Sequence, residues 1–159
     1  MSTPLVTVFL DEIEARLKNI TTDNGYFFTV KKVSRARLKP FSGHDLPAIN
    51  FWPVNVESTQ SEYGMDNRNL NIVVEIHTKT HDEPFTDTVD KLVSDVVIAL
   101  DRNTSFPAVT DSANSDLGGL IENFIFTGYD YQIGEGQKPY CAGIINFSAQ
   151  FITESNQML

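Results

Sequence analysis

The chain has 159 residues and a formal net charge of -9, with 41% hydrophobic and 21% charged residues. That size suits one domain, and eleven Phe, five Tyr and Trp52 supply enough apolar surface to exclude a disordered chain. The single cysteine, Cys141, excludes an internal disulfide framework, no apolar run reaches the roughly 20 residues of a membrane helix, and an acidic surface gains no counterion release on a phosphate backbone.

In chain order, Thr3-Pro4 predicts a helix start, since Thr can accept from an orphan N–H and Pro is tolerated at the first helical position. Val6, Phe9, Leu10, Ile13, Leu17 and Ile20 then recur at helical spacing, with Asp11, Glu12, Glu14 and Arg16 between them, so one face packs on a core. Asn24-Gly25 breaks the pattern, and residues 26–30, Tyr-Phe-Phe-Thr-Val, predict the first strand. Residues 31–39 place Lys31, Lys32, Arg35, Arg37 and Lys39 within nine positions. This is either the end of that strand with an exposed loop or an electrostatic contact for an acidic neighbour. A nucleic-acid surface would add interleaved aromatics and a basic total, and neither is present.

Pro47 opens a second apolar stretch over residues 49–56, in which Pro53 marks an edge strand or a bulge, because it has no N–H to give a ladder. That edge is a candidate pairing surface. Residues 58–67 are polar and turn-like. Leu70, Ile72, Val74 and Ile76 alternate with Asn69, Asn71, Val73 and Glu75, the period of a strand with one face on a core. Pro84 starts a second helix with Val89, Leu92, Val93, Val96, Val97 and Leu100 on one stripe, and Asp87, Asp90, Lys91, Ser94 and Asp95 opposite. Asp82 and Glu83 lie near its N-terminus, where the helix dipole favours negative charge.

Residues 102–119 are rich in Asn, Thr, Ser, Pro, Asp and Gly, longer than most structureless connections, and predict a loop that is either functional or disordered, in which Phe106, Asp111 and Asp116 are candidate partner contacts. Residues 120–131 predict a strand interrupted by Gly128, and 133–137 a turn. Cys141, Gly143, Ile145, Phe147, Ala149 and Phe151 form one face of a last strand, and 153–159 reads as a loose tail. The expected fold is α+β: one domain over 1–159, with a mostly antiparallel sheet and both amphipathic helices on one face.

No catalytic constellation stands out. His77 and His81, followed by Asp82 and Glu83, straddle a strand end and a loop without a third ligand at characteristic spacing, so a surface pair is the plainer reading. His44 beside Asp45 reads as solvent-exposed, and Cys141 as a buried, inert thiol. Residues 134–138, Gly-Glu-Gly-Gln-Lys, lack the remaining glycine spacing of a phosphate loop and precede a strand instead of a helix. The chain is expected to be no enzyme and to use no cofactor or metal. It also lacks the basic stretch and small-residue cleavage site of a secretory signal, which with one cysteine points to a reducing cytoplasm. Charge is uneven: residues 1–40 hold seven Lys/Arg against four Asp/Glu, and residues 41–159 hold five against seventeen. One copy's basic segment could thus face another's acidic one, or the surface is simply solvated.

Taken in order, Ala15-Arg16-Leu17, Gly25-Tyr26-Phe27-Phe28-Thr29-Val30, Pro47-Ala48-Ile49-Asn50-Phe51 and residues 68–76 form a recurring arrangement. With the helix 92–100, Leu117-Gly118-Gly119-Leu120 and the closing apolar strand, it resembles the tail terminator (tail completion) proteins of long-tailed bacteriophages over nearly the whole chain. The resemblance implies a subunit of a hexameric ring that caps the head-proximal end of the tail tube, stops its polymerisation and provides the surface for head joining. It implies as partners other copies of the chain, the tail tube protein and the head-tail connector protein, with a monomer before assembly as the alternative to a standing hexamer. DNA only passes through the lumen, no membrane is involved, and the place of action is the virion tail after synthesis in the host cytoplasm. Leading contact segments are 31–39, 41–46, 58–67 and 102–119, and Pro53 marks the pairing edge. Two alternatives remain: a tail tube or head-tail connector subunit, and a small metal-dependent enzyme using His77 and His81.

Overall fold

The two helical periodicities become α1 (Leu5–Lys18) and α2 (Phe85–Leu100) in the computed structural model, which describes residues 4–60, 64–79, 84–100, 123–133 and 140–154. The strands are β1 (Lys32–Arg35), β2 (Ala48–Gln60), β3 (Met65–Lys79), β4 (Asn123–Ile133) and β5 (Tyr140–Glu154). They form one five-stranded sheet in the order β1-β2-β3-β5-β4. β1 runs parallel to β2 and every other pair is antiparallel.

Register puts the apolar sets on one side. Ile72 lies opposite Phe147 and Val74 opposite Ile145, so the alternating residues of β3 and β5 meet the same layer. That layer is both helices: Phe9, Leu10, Ile13 and Leu17 of α1 and Val89, Leu92, Val93 and Val96 of α2 form one buried cluster with Ile49, Phe51, Leu70, Ile76 and Ile145. Each fully buried Leu, Ile or Phe contributes roughly 1.5–3 kcal/mol relative to exposure. The α+β fold with both helices on one sheet face is as the periodicities predict.

Several local expectations are corrected. Residues 26–30 are not a strand: Phe27 and Phe28 give their amide N–H groups to the two carboxylate oxygens of Asp95, each at 3.0 Å, and are not held in a ladder. Pairing starts one residue later, with the Lys31 N–H on the Pro47 carbonyl at 2.8 Å and then β1. The aromatic and β-branched types there encode burial, since Tyr26 and Val30 both join the core. Asp95 and Arg16, placed by periodicity on polar helix faces, are buried for the same tertiary reason. Pro4 precedes α1, its carbonyl accepting the Val8 N–H at 3.2 Å, instead of sitting within the first turn.

Residues 58–60 and 65–67, expected to be turn-like, extend β2 and β3 into a long hairpin with Gln60 opposite Asp66. β3 is paired on both sides here, Met65 with Glu154 and Asp66 with Thr153, and the ladder overrides weak intrinsic strand preference. Thr153 and Glu154, assigned to a loose tail, therefore end β5. Thr153 is buried and accepts from Arg68 Nε at 3.1 Å. Ile133, expected in the turn 133–137, ends β4 opposite Cys141. Thr3, the pair Asp82 and Glu83, the loop 102–119, the rest of that turn and residues 155–159 lie outside the described residues.

Candidate functional site

At one end of the sheet, β1 covers only Ala48–Phe51 of β2. Among the described residues, residues 52–60 of β2 pair with β3 alone, leaving their other side open. The register shifts between Pro53 and Asn55, so Pro53 marks a bulge at the point where the strand becomes an edge. Val54 and Val56 are exposed along it.

Beside this edge the chain leaves β1 through Ala36, at φ 53 in the left-handed region that Ala disfavours. The following loop is clamped from several directions. Asn50 of β2 accepts the Arg37 N–H at 2.8 Å and donates to the Arg37 carbonyl at 2.9 Å. The Arg37 guanidinium donates to the carbonyls of Lys39 at 2.9 Å and Pro40 at 3.3 Å, and lies 4.8 Å from the Phe41 ring centroid. Phe41 packs against His77 of β3 at 5.5 Å. The clamped loop presents Leu38 to solvent at 98% exposure. Between it and the sheet lies a cleft of about 480 Å³ whose lining includes Arg37, Phe41, Asn50, Glu75, His77 and Tyr140.

At the opposite end, β4 is the terminal strand. Gly128, at φ 141, carries a bulge between Phe126 and its partner register, which rephases the strand. Phe126 then faces the helix side opposite Phe147, and Tyr129 and Tyr131 face it opposite Ile145 and Gly143. The rings of Phe126, Tyr129, Tyr131 and Phe85 of α2 run in contact, with successive centroids 6.2, 5.4 and 6.4 Å apart. Asp90 of α2 accepts both phenol hydroxyls at 2.6 Å. These two hydrogen bonds hold its carboxyl below the usual carboxylate range, and the Asp90 anion in turn pushes the Tyr131 phenol up. This half-exposed aromatic ledge around a carboxylate was not singled out in the sequence. The signal was Gly128, whose bulge shifts Tyr129 and Tyr131 onto the face of Phe126.

The basic segment divides. Lys32 pairs with Asp45 at 3.7 Å, and Arg35 bridges Asp11 at 2.6 Å and Glu14 at 3.1 Å while lying over Phe51. Both are engaged within the fold, whereas Lys31 and Lys39 are exposed and Arg37 shapes its loop. Pro53 is at the open edge, and Phe106, Asp111 and Asp116 lie outside the described residues. His77 Nε2 contacts Glu75 Oε1, His44 is exposed in a short 3-10 turn, and His81 lies outside the described residues. Among the described residues no group of three or more His, Cys, Asp or Glu is placed to hold a metal ion. Cys141 is buried, and burial pushes its thiol up, away from the reactive thiolate. No helix among the described residues is long and apolar enough to cross a membrane.

No protein-family model matches this chain, and no curated protein matches it.

Proposed function

We propose that this chain is a structural assembly protein of the tail-terminator kind, a subunit that closes into a ring on the head-proximal end of a phage tail tube, stops tube polymerisation and offers a surface for head joining. The observation that carries the reading is a sheet with open pairing sides at its two opposite ends, β2 beyond Phe51 and β4, among the described residues. A long edge with exposed Val54 and Val56 invites another protein, because its unpaired N–H and C=O groups are a template for contact. Two different ends on one subunit suit head-to-tail association, which closes a ring when the rotation allows.

Other features agree. Most of the elements that carry the resemblance to tail terminators, α1, β2, β3, α2 and β5, fold into one sheet and one helix layer, whereas residues 26–30 are not a strand and residues 117–120 lie outside the described residues. On the face away from the helices, Asn71 donates to Asn55 at 2.8 Å and Ser148 donates to Asn69 at 2.7 Å. These four amide and hydroxyl side chains carry no positive charge that would hold DNA passing through a lumen. In this reading the chain catalyses nothing. Its partners are further copies of itself, the tail tube protein and the head-tail connector, and it reaches the virion tail from the host cytoplasm.

The test is tail assembly with the gene removed. Tails of abnormal length that fail to join heads are expected, and their restoration by the supplied protein. Normal, joined tails overturn the proposal, and purified protein that polymerises into tubes or binds portal favours a tube or connector subunit instead.

A further inference from the structure

Leu38 is an apolar side chain held almost wholly in water by a loop with little freedom to hide it. Ala36 at positive φ, the two hydrogen bonds to Asn50 and the Arg37 contacts to Lys39, Pro40 and Phe41 fix the loop before any partner arrives. A preorganised loop loses little further entropy on docking, and sparsely populated backbone conformations cluster at binding sites. Its flank is basic through Lys39, which is exposed.

The opposite end of the sheet offers the complement. The ledge of Phe126, Tyr129, Tyr131 and Phe85 leaves Phe126 39% and Tyr131 44% exposed, and it surrounds Asp90. Asp87, one helical turn before Asp90, adds an exposed carboxylate on the same side of α2. Aromatic faces bordered by carboxylates suit an aliphatic side chain flanked by cations.

We infer that the Arg37-Leu38-Lys39 loop of one copy docks on the Phe85, Phe126, Tyr129 and Tyr131 ledge of the next, with Leu38 on the rings and Lys39 toward Asp87 and Asp90. Charge complementarity between the two ends selects a second copy of this chain as the occupant. The contact joins unlike surfaces from opposite ends of the sheet, so it propagates head to tail, closing a ring where the rotation allows, instead of closing a two-fold dimer. It rests on the assembly reading and assigns the residues that would carry it.

Sedimentation velocity of the full chain over a concentration series tests it. Leu38→Asp is expected to weaken self-association at least about ten-fold, as for loss of an apolar anchor at an interface. Lys39→Glu and Asp87→Lys should each weaken it, and the two together should restore it, with circular dichroism unchanged because all three positions are exposed. Association unchanged in Leu38→Asp, or a double swap no better than its single variants, overturns this contact. If that variant still restores tails in a gene-deleted phage, the assembly reading survives the failure. A wild-type chain monomeric at every concentration likewise overturns the contact, while the tail experiment decides the function separately.

Discussion

Asp95 shows how one buried carboxylate decides the path of a neighbouring segment. It is 1% exposed, and burial pushes its carboxyl above the usual range, while the Phe27 and Phe28 amides pull it back down. In Asp95→Asn one of those two amides would meet an NH2 group, leaving a buried donor unsatisfied. The variant is therefore expected to lose about 1–3 kcal/mol in urea unfolding, and an unchanged midpoint would show that the clamp is dispensable. Tyr26 nearby is pushed up to about 12 by burial and then by Asp95, with Arg16 opposing. A phenol whose folded pKa exceeds the ordinary 10.0 gives stability that is fully present below pH 10 and lost as pH rises toward about 12. Tyr26→Phe should flatten that alkaline decline in the urea midpoint. A slope identical to wild type would assign the decline to other groups, such as Tyr131, whose phenol is also raised.

At the scale of elements, α2 sits close over β5 because Gly143 has no side chain. A Cβ there would stand 3.0 Å from Val89 Cγ1 and 3.2 Å from Ile76 Cδ1. Gly143→Ala is expected to destabilise by about 1–3 kcal/mol through overpacking, and Val89→Ala in the same chain should recover part of the loss. A Gly143→Ala protein with an unshifted melting temperature would mean that the helix moves away freely. β4 shows a different use of glycine. The bulge at Gly128 keeps Phe126, Tyr129 and Tyr131 on one face although their spacing is not even, and that continuity makes the ledge.

For the whole molecule, what matters is which ends of the sheet stay open. Among the described residues β1 is too short to cover β2 and β4 ends the sheet, so the chain offers two unlike sides. The basic residues of positions 31–39 gather at the β1 end, although Lys32 and Arg35 are already paired within the subunit. Reversing those two would damage the fold along with any interface, which is why Lys39 is the more informative charge to change. The expected defect in a gene-deleted phage belongs at this scale: tails lose their length control only if a ring of whole subunits is what ends the tube.

Much of this protein was legible from periodicity, namely the two helices, the core residues of β3 and β5 and the buried Cys141, and the missing N–H of Pro53 marked an edge or a bulge. These are local signals, because burial on one face repeats every two residues in a strand and every 3.6 in a helix. Tertiary structure alone decided that residues 26–30 leave the ladder, that the polar ends of β2 and β3 are strand, and that Arg35 turns inward to Asp11 and Glu14. Each depends on a partner distant in the chain, such as Asp95 for Phe27, β5 for β3 and α1 for β1. Composition records that a residue can be buried or charged; which neighbour satisfies it is settled only when the sheet closes against the helices.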